Sequence, residues 1–210
     1  MPDRPRLFLI TPPLAEAAPF VPLLEAAVSA ADVACVLLRL TARDGGQAEA
    51  LVRALAPIAQ RQGAAVLVPD DPRLAVRAEA DGVHLSSDGP VLAEALAALQ
   101  PARIVGVGAL PDRDAAMRAG EAGVDYVMFG GPEADGDHAR TLEQAQWWAE
   151  IFNVPCVAYA QSPALVGVLA GTGAEFVALC EGLWDAPDAI AGRLRDAERA
   201  LAPLSSELAR

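Results

Sequence analysis

Eight short β-type runs alternate with eight amphipathic helical runs along the whole chain, and that rhythm leaves few folds open. The β-type runs are residues 7–11, 34–40, 65–70, 82–86, 104–109, 126–130, 155–160 and 176–180. Several are near-continuous apolar stretches, as expected for parallel strands covered on both sides. The helical runs are residues 19–31, 47–62, 72–80, 91–99, 113–122, 142–152, 163–170 and 187–202. Asp71-Pro72 and Ser162-Pro163 read as N-cap and first-turn pairs, and Gly63, Gly123 and Gly173 as helix ends. Eight βα units in series either close into a barrel or lie open as a doubly wound sheet. An open dinucleotide-binding sheet wants a glycine fingerprint after its first strand, but here that strand runs into Thr11-Pro12-Pro13. The expected fold is therefore α/β, a (β/α)8 TIM barrel. No Pro/Gly/Ser linker or composition break interrupts it, so residues 1–210 read as one domain. Residues 135–137 and the tail from Pro203 read as its flexible pieces.

Charge and composition narrow the partners. A net charge of −12 argues against nucleic acid and against an anionic membrane surface. No apolar stretch reaches the roughly 18–20 residues of a membrane span, and the N-terminus has no cleavage pattern, so the expected location is the cytoplasm. All 16 basic residues are Arg. Without lysine there is no Schiff-base chemistry, a common use of barrel scaffolds. Cys35, Cys156 and Cys180 sit in apolar runs at wide spacing and read as buried free thiols.

In such barrels chemistry sits on the loops that follow the strands. Those loops offer Arg39, Thr41 and Arg43, then Asp70-Asp71, Ser86-Ser87-Asp88 and Gly106-Val107-Gly108. Gly130-Gly131-Pro132 with the acidic stretch Glu133 to Asp137, Tyr159 to Ser162, and Cys180-Glu181-Gly182 complete the set. Asp71, followed by proline, reads first as a helix cap, and Ser86-Ser87-Asp88 also has a capping reading. Gly106 and Gly108 can simply relieve crowding inside a strand. His84 reads as a satisfied core histidine and His138 as a solvated loop residue. Gly130-Gly131 offers backbone N–H groups to an anion or is an ordinary turn. Arg39 is either paired with Asp70 or available to an anionic ligand.

The strings LFLIT, CVLLRL, AVLVPDDPRLA, ADGVHLSSDGP, RIVGVGA, AGVDYVMFGGP, VPCVAYA and GAEFVAL occur in this order. The order resembles that of the thiamine-phosphate synthase and thiazole tautomerase family, from Leu7 to about Glu181. ADGVHL followed by GVDYVMFG is the most specific part. The resemblance implies a transferase that joins a pyrimidine diphosphate to a thiazole phosphate, with Mg2+ assisting pyrophosphate release. It also implies which positions do the work. In the strand-two pattern Gln-Leu-Arg-x-Lys, Arg39 keeps the arginine, while Leu37 and Thr41 replace the glutamine and lysine. Asp70 keeps a metal-binding aspartate, whose usual neighbours are here Pro69 and Asp71. The second metal carboxylate is absent or shifted by one position, to Asp88. The strand-five serine is Gly108, and the phosphate-holding Gly-Gly after strand seven is Ala160-Gln161. The tautomerase histidine is Gly131, and Arg140 alone could replace the lysine of the loop that follows.

Three functions follow from these residues. One is a divergent family member of thiamine metabolism that binds a small phosphorylated or heterocyclic ligand with much of the synthase site replaced. Arg39, Gly130, Gly131 and Arg140 are then its phosphate contacts, and no catalytic residue is assigned. The second is an active synthase with a rewired Mg2+ site at Asp70 and Asp88. The third is a barrel serving an unrelated small molecule. A homodimer is compatible with each.

Overall fold

The computed structural model describes residues 4–41, 44–132 and 137–202. Arg43, Glu133, Asp135 and the tail from Pro203, all singled out above, lie outside the described residues. The elements follow one another as β1 (Arg6–Ile10), α1 (Val21–Ala30), β2 (Val33–Leu37), α2 (Gly45–Gln60), β3 (Ala65–Pro69) and α3 (Pro72–Arg77). Next come β4 (Gly82–Leu85), α4 (Pro90–Leu99), β5 (Ile104–Val107), α5 (Arg113–Ala122), β6 (Tyr126–Phe129) and α6 (His138–Ile151). The last are β7 (Cys156–Ala160), α7 (Val166–Ala170), β8 (Phe176–Leu179) and α8 (Ile190–Ala200). Each strand pairs in parallel with the next, and β8 returns to β1 from Arg6↔Phe176 to Leu9↔Leu179, closing the barrel. The chain is thus the (β/α)8 barrel that its rhythm predicts. No described helix is long and apolar enough to cross a membrane.

Strand geometry divides the apolar residues into two clusters. Successive side chains of a strand point to opposite faces, so alternate residues fill the barrel and the others meet the helices. Phe8, Ile10, Cys35, Leu37, Tyr126, Met128, Val157, Tyr159, Ala178 and Cys180 belong to the inner cluster. Their neighbours Leu7, Leu9, Val36, Val127, Ala158 and Val177 join the helices in the larger outer one. All three cysteines are buried and free, as their apolar context suggests.

Four of the helices start where an aspartate ends the loop before them. Asp44, Asp71, Asp112 and Asp137 cap α2, α3, α5 and α6, each accepting from the backbone N–H three residues on. Gly123, with φ of 90°, caps α5 at its other end, where a left-handed residue is needed.

Three expectations are corrected. The second strand ends at Leu37 instead of residue 40: Leu38 still donates to Leu67 O, but Arg39 O then accepts from Leu14 N (2.9 Å). The chain thus leaves the barrel wall to bridge the loop after β1, at Leu14↔Leu40. Helix α6 begins at His138, four residues before its apolar pattern starts, because Asp137 caps it there. Consequently His138 is not a solvated loop residue. It opens the helix half-buried, and its Nδ1 is buried without a hydrogen-bond partner among the described residues.

Candidate functional site

A cavity of about 920 Å³ opens at the C-terminal face of the barrel, where the sequence directs attention. Three strands end there in left-handed residues. Asp70 has φ of 48°, Ala109 of 50° and Gly130 of 75°. Left-handed backbone is costly for a non-glycine residue and concentrates where a site needs it. At Gly130 the need is also steric, since a Cβ would lie 2.7 Å from Thr141 Oγ1.

Asp70 is held open-handed across the mouth by the next strand. Its Oδ1 accepts from the Ser86 backbone N–H (2.7 Å) and its Oδ2 from the Ser86 hydroxyl (2.8 Å). Ser86 thus engages both carboxylate oxygens of Asp70. Arg39 lines the same cavity and is fixed through its backbone N–H, which donates to Thr11 Oγ1 (2.9 Å). Its guanidinium also acts on Cys180. Burial raises that thiol's pKa, and the nearby positive charge offsets part of the rise.

The floor is a register-matched pair of rings. His84, Gly106 and Tyr126 lie side by side on β4, β5 and β6. Because Gly106 carries no side chain, the rings of His84 and Tyr126 meet over it, stacked with centroids 5.7 Å apart. His84 Nδ1 and Tyr126 Oη are hydrogen-bonded at 2.7 Å. Burial pushes the His84 pKa down to about 4, with the Asp70 charge opposing, so the imidazole is neutral at neutral pH. Gly108 makes room for the same ring, since a Cβ there would lie 2.8 Å from His84 Nε2. His84 is thus the satisfied core histidine expected from the sequence, and it also lines the cavity. The stacked partner was missed because it becomes visible only through strand register.

The remaining wall comes from β1, β2, β6, β7 and α6. Ile10, Leu37, Met128 and Phe129 are apolar, and Tyr159, Gln161, Thr141 and Gln144 are polar. Gly130, Gly131 and Arg140, read from the sequence as phosphate contacts, also line the cavity. Arg140 donates to the backbone oxygen of Pro111 and so ties α6 to the loop after β5. Asp88 does not join them. It is absent from the described lining and turns to α5, where Arg118 binds it at 2.8 Å. Asp70 and Asp88, the two carboxylates that the resemblance implies for Mg2+, thus have different partners, Ser86 and Arg118. Among the described residues no group of three His, Cys, Asp or Glu side chains could hold a metal ion. Of the pair Asp70 and Asp88, only Asp70 lines the cavity.

The comparisons with known proteins agree with one another. A family model described as thiamine monophosphate synthase matches residues 7–183. The thiamine-phosphate synthase of Rhodospirillum centenum is 39% identical, over 93% of this chain and 97% of its own length. That of Hyphomonas neptunium is 36% identical, over 91% of each. Among solved structures, a thiamine phosphate pyrophosphorylase from Pyrococcus furiosus superimposes with a TM-score of 0.79. It covers 93% of this chain and 95% of its own, at 20% identity. A 3-hexulose-6-phosphate synthase gives 0.69 at 17% identity, over 93% of this chain and all of its own, which speaks for the barrel alone.

Proposed function

The chain belongs to the thiamine monophosphate synthase family, and on that premise we propose that it binds a small phosphorylated heterocycle of thiamine metabolism, with much of the synthase site replaced. Its named relatives are synthases, that is, transferases of thiamine biosynthesis, and the ligand is of the kind they handle. The observation that carries the reading is that Asp88 is engaged by Arg118 and is not among the described lining residues, while Asp70 is engaged by Ser86. Pyrophosphate release builds negative charge on the leaving oxygens, which metal and cations must neutralise. The cavity's two described lining carboxylates are both engaged, Asp70 by Ser86 and Asp137 by the Arg140 backbone N–H, which supports binding better than it supports that step. The phosphate meets Arg39, Arg140 and the backbone N–H groups of Gly130 and Gly131, and the apolar walls take the ring. The protein does this in the cytoplasm and, in this reading, without Mg2+.

A thermal-shift titration with thiazole phosphate and with pyrimidine phosphate tests this. One of them at about 100 times its Kd should stabilise the protein by about 2.7 kcal/mol, or about 5–10 °C. No thiamine phosphate should form from pyrimidine diphosphate and thiazole phosphate, even at high protein concentration with Mg2+. A second reading, the active synthase, is favoured by the presence of both Arg39 and Asp70 at the mouth. It requires multiple-turnover product formation with Mg2+ that Asp70→Ala abolishes. No shift with either phosphate would leave an unrelated small-molecule ligand.

A further inference from the structure

Tyr159 is the least explained polar group of the cavity. It points inward from β7, lies in the inner cluster and is only 2% exposed. Its hydroxyl is buried without a hydrogen-bond partner among the described residues, although the side chain lines the cavity. A buried hydroxyl left unmade in this way is unfavourable, and native structures keep few of them without a reason. Two other polar groups of the cavity are engaged: His84 Nδ1 with Tyr126 at the floor, and Asp70 with Ser86 at the mouth. Nothing about folding asks for this hydroxyl, since phenylalanine would fill the same space in the cluster.

We infer that Tyr159 is a specificity-determining residue, whose phenol donates a hydrogen bond to a neutral acceptor on the heterocycle, a ring nitrogen or an exocyclic oxygen. This rests on the proposed binding function and deepens it. The chemistry follows from the surroundings. Ile10, Leu37 and Met128 form an apolar setting suited to a flat ring. A neutral O–H beside that ring discriminates by hydrogen bonding, because an analogue without the acceptor leaves the hydroxyl unpaired. The phosphate end of the ligand lies at the mouth, with Arg39, and does not need Tyr159.

The test uses the full chain and Tyr159→Phe. Calorimetric titrations with thiazole phosphate, pyrimidine phosphate and inorganic phosphate are compared, together with melting of the ligand-free proteins. For whichever heterocyclic phosphate binds the wild type more tightly, Tyr159→Phe should weaken binding about tenfold, or about 1.4 kcal/mol. Inorganic phosphate should bind both proteins equally, and ligand-free Tyr159→Phe should melt at the same temperature or higher. Wild-type binding with unchanged affinity in Tyr159→Phe overturns the inference and leaves the proposed function standing. So does a lower melting temperature of the ligand-free variant, because the hydroxyl would then be structural. If the wild type binds neither heterocyclic phosphate, the proposed function falls and this inference with it.

Discussion

The ring pair at the cavity floor ties part of the acid stability to one side chain. Burial lowers the folded pKa of His84 to about 4 from an ordinary 6.5, so below pH 6.5 the unfolded chain binds the proton more readily. Stability from this group is complete above about pH 6.5 and is lost as the pH falls towards 4. The full difference corresponds to about 3 kcal/mol. Between pH 7 and about pH 4.5, wild type should therefore lose about 2 kcal/mol more unfolding free energy than His84→Gln, measured by urea titration. Equal losses would show that the histidine is not buried neutral. The two glycines beside the pair give a second prediction, an order of severity. A Cβ at Gly106 would fall 2.0 Å from the Tyr126 ring, whereas one at Gly108 would fall 2.8 Å from His84 Nε2. Gly108→Ala should cost about 1–3 kcal/mol, and Gly106→Ala more, because a packed ring has less room to yield than a ring edge at a cavity. Denaturation midpoints in the opposite order would contradict this packing. At this scale the sequence was partly legible. It marked both glycines as relieving crowding, but the crowding rings come from neighbouring strands about 20 residues away, and only register identifies them.

A four-part repeat appears at the level of elements, on the face of the barrel opposite the cavity. An acidic residue stands immediately before each even-numbered strand: Asp32, Asp81, Asp125 and Glu175. Three of them reach back to the strand before and accept a backbone N–H near its start. Asp81 takes Val66 N (2.7 Å), Asp125 takes Val105 N (2.8 Å) and Glu175 takes Cys156 N (2.9 Å). Asp32 instead binds the Arg6 side chain on β1. These carboxylates satisfy donors at the strand starts. Asp81→Ala should therefore cost about 1–3 kcal/mol in urea unfolding, by stranding the Val66 N–H. It should leave the affinity for a heterocyclic phosphate unchanged, since it lies at the other end of the barrel. A change in affinity as large as the loss of stability would show that the two faces are coupled. The pattern is present in the strings ADGVHL, GVDYVMF and GAEFVAL, which carry the family resemblance, so part of that resemblance reflects the scaffold and not the chemistry. Element ends were less legible. Periodicity located α6 from its apolar residues, but a polar first turn capped by Asp137 has no apolar stripe to announce it.

For the whole molecule the decisive feature is the seam between β1 and β8, which joins the two ends of the chain. Besides the strand pairing, Trp184 Nε1 donates to Ile10 O (2.9 Å) and Arg4 binds Glu198 on α8 (3.2 Å). Opening this seam would create two sheet edges with unpaired N–H and C=O groups and would expose the inner cluster along both. Such a state gains the conformational freedom of one or two βα units but loses packing on every side of the barrel. The barrel should therefore unfold as one unit, with the seam no weaker than the rest. Its tryptophans can test this. Trp184 sits at the seam, whereas Trp148 is fully buried between α6 and β6, with its ring 5.9 Å from Phe129. In a variant keeping only Trp184 and a variant keeping only Trp148, fluorescence-detected urea transitions should coincide with those from far-ultraviolet circular dichroism of the same variant. A Trp184 transition at clearly lower urea than the circular dichroism would mean that the seam opens first. The terminal βα units would then behave as a separable part, and the single domain read from the unbroken βα rhythm would have to be divided.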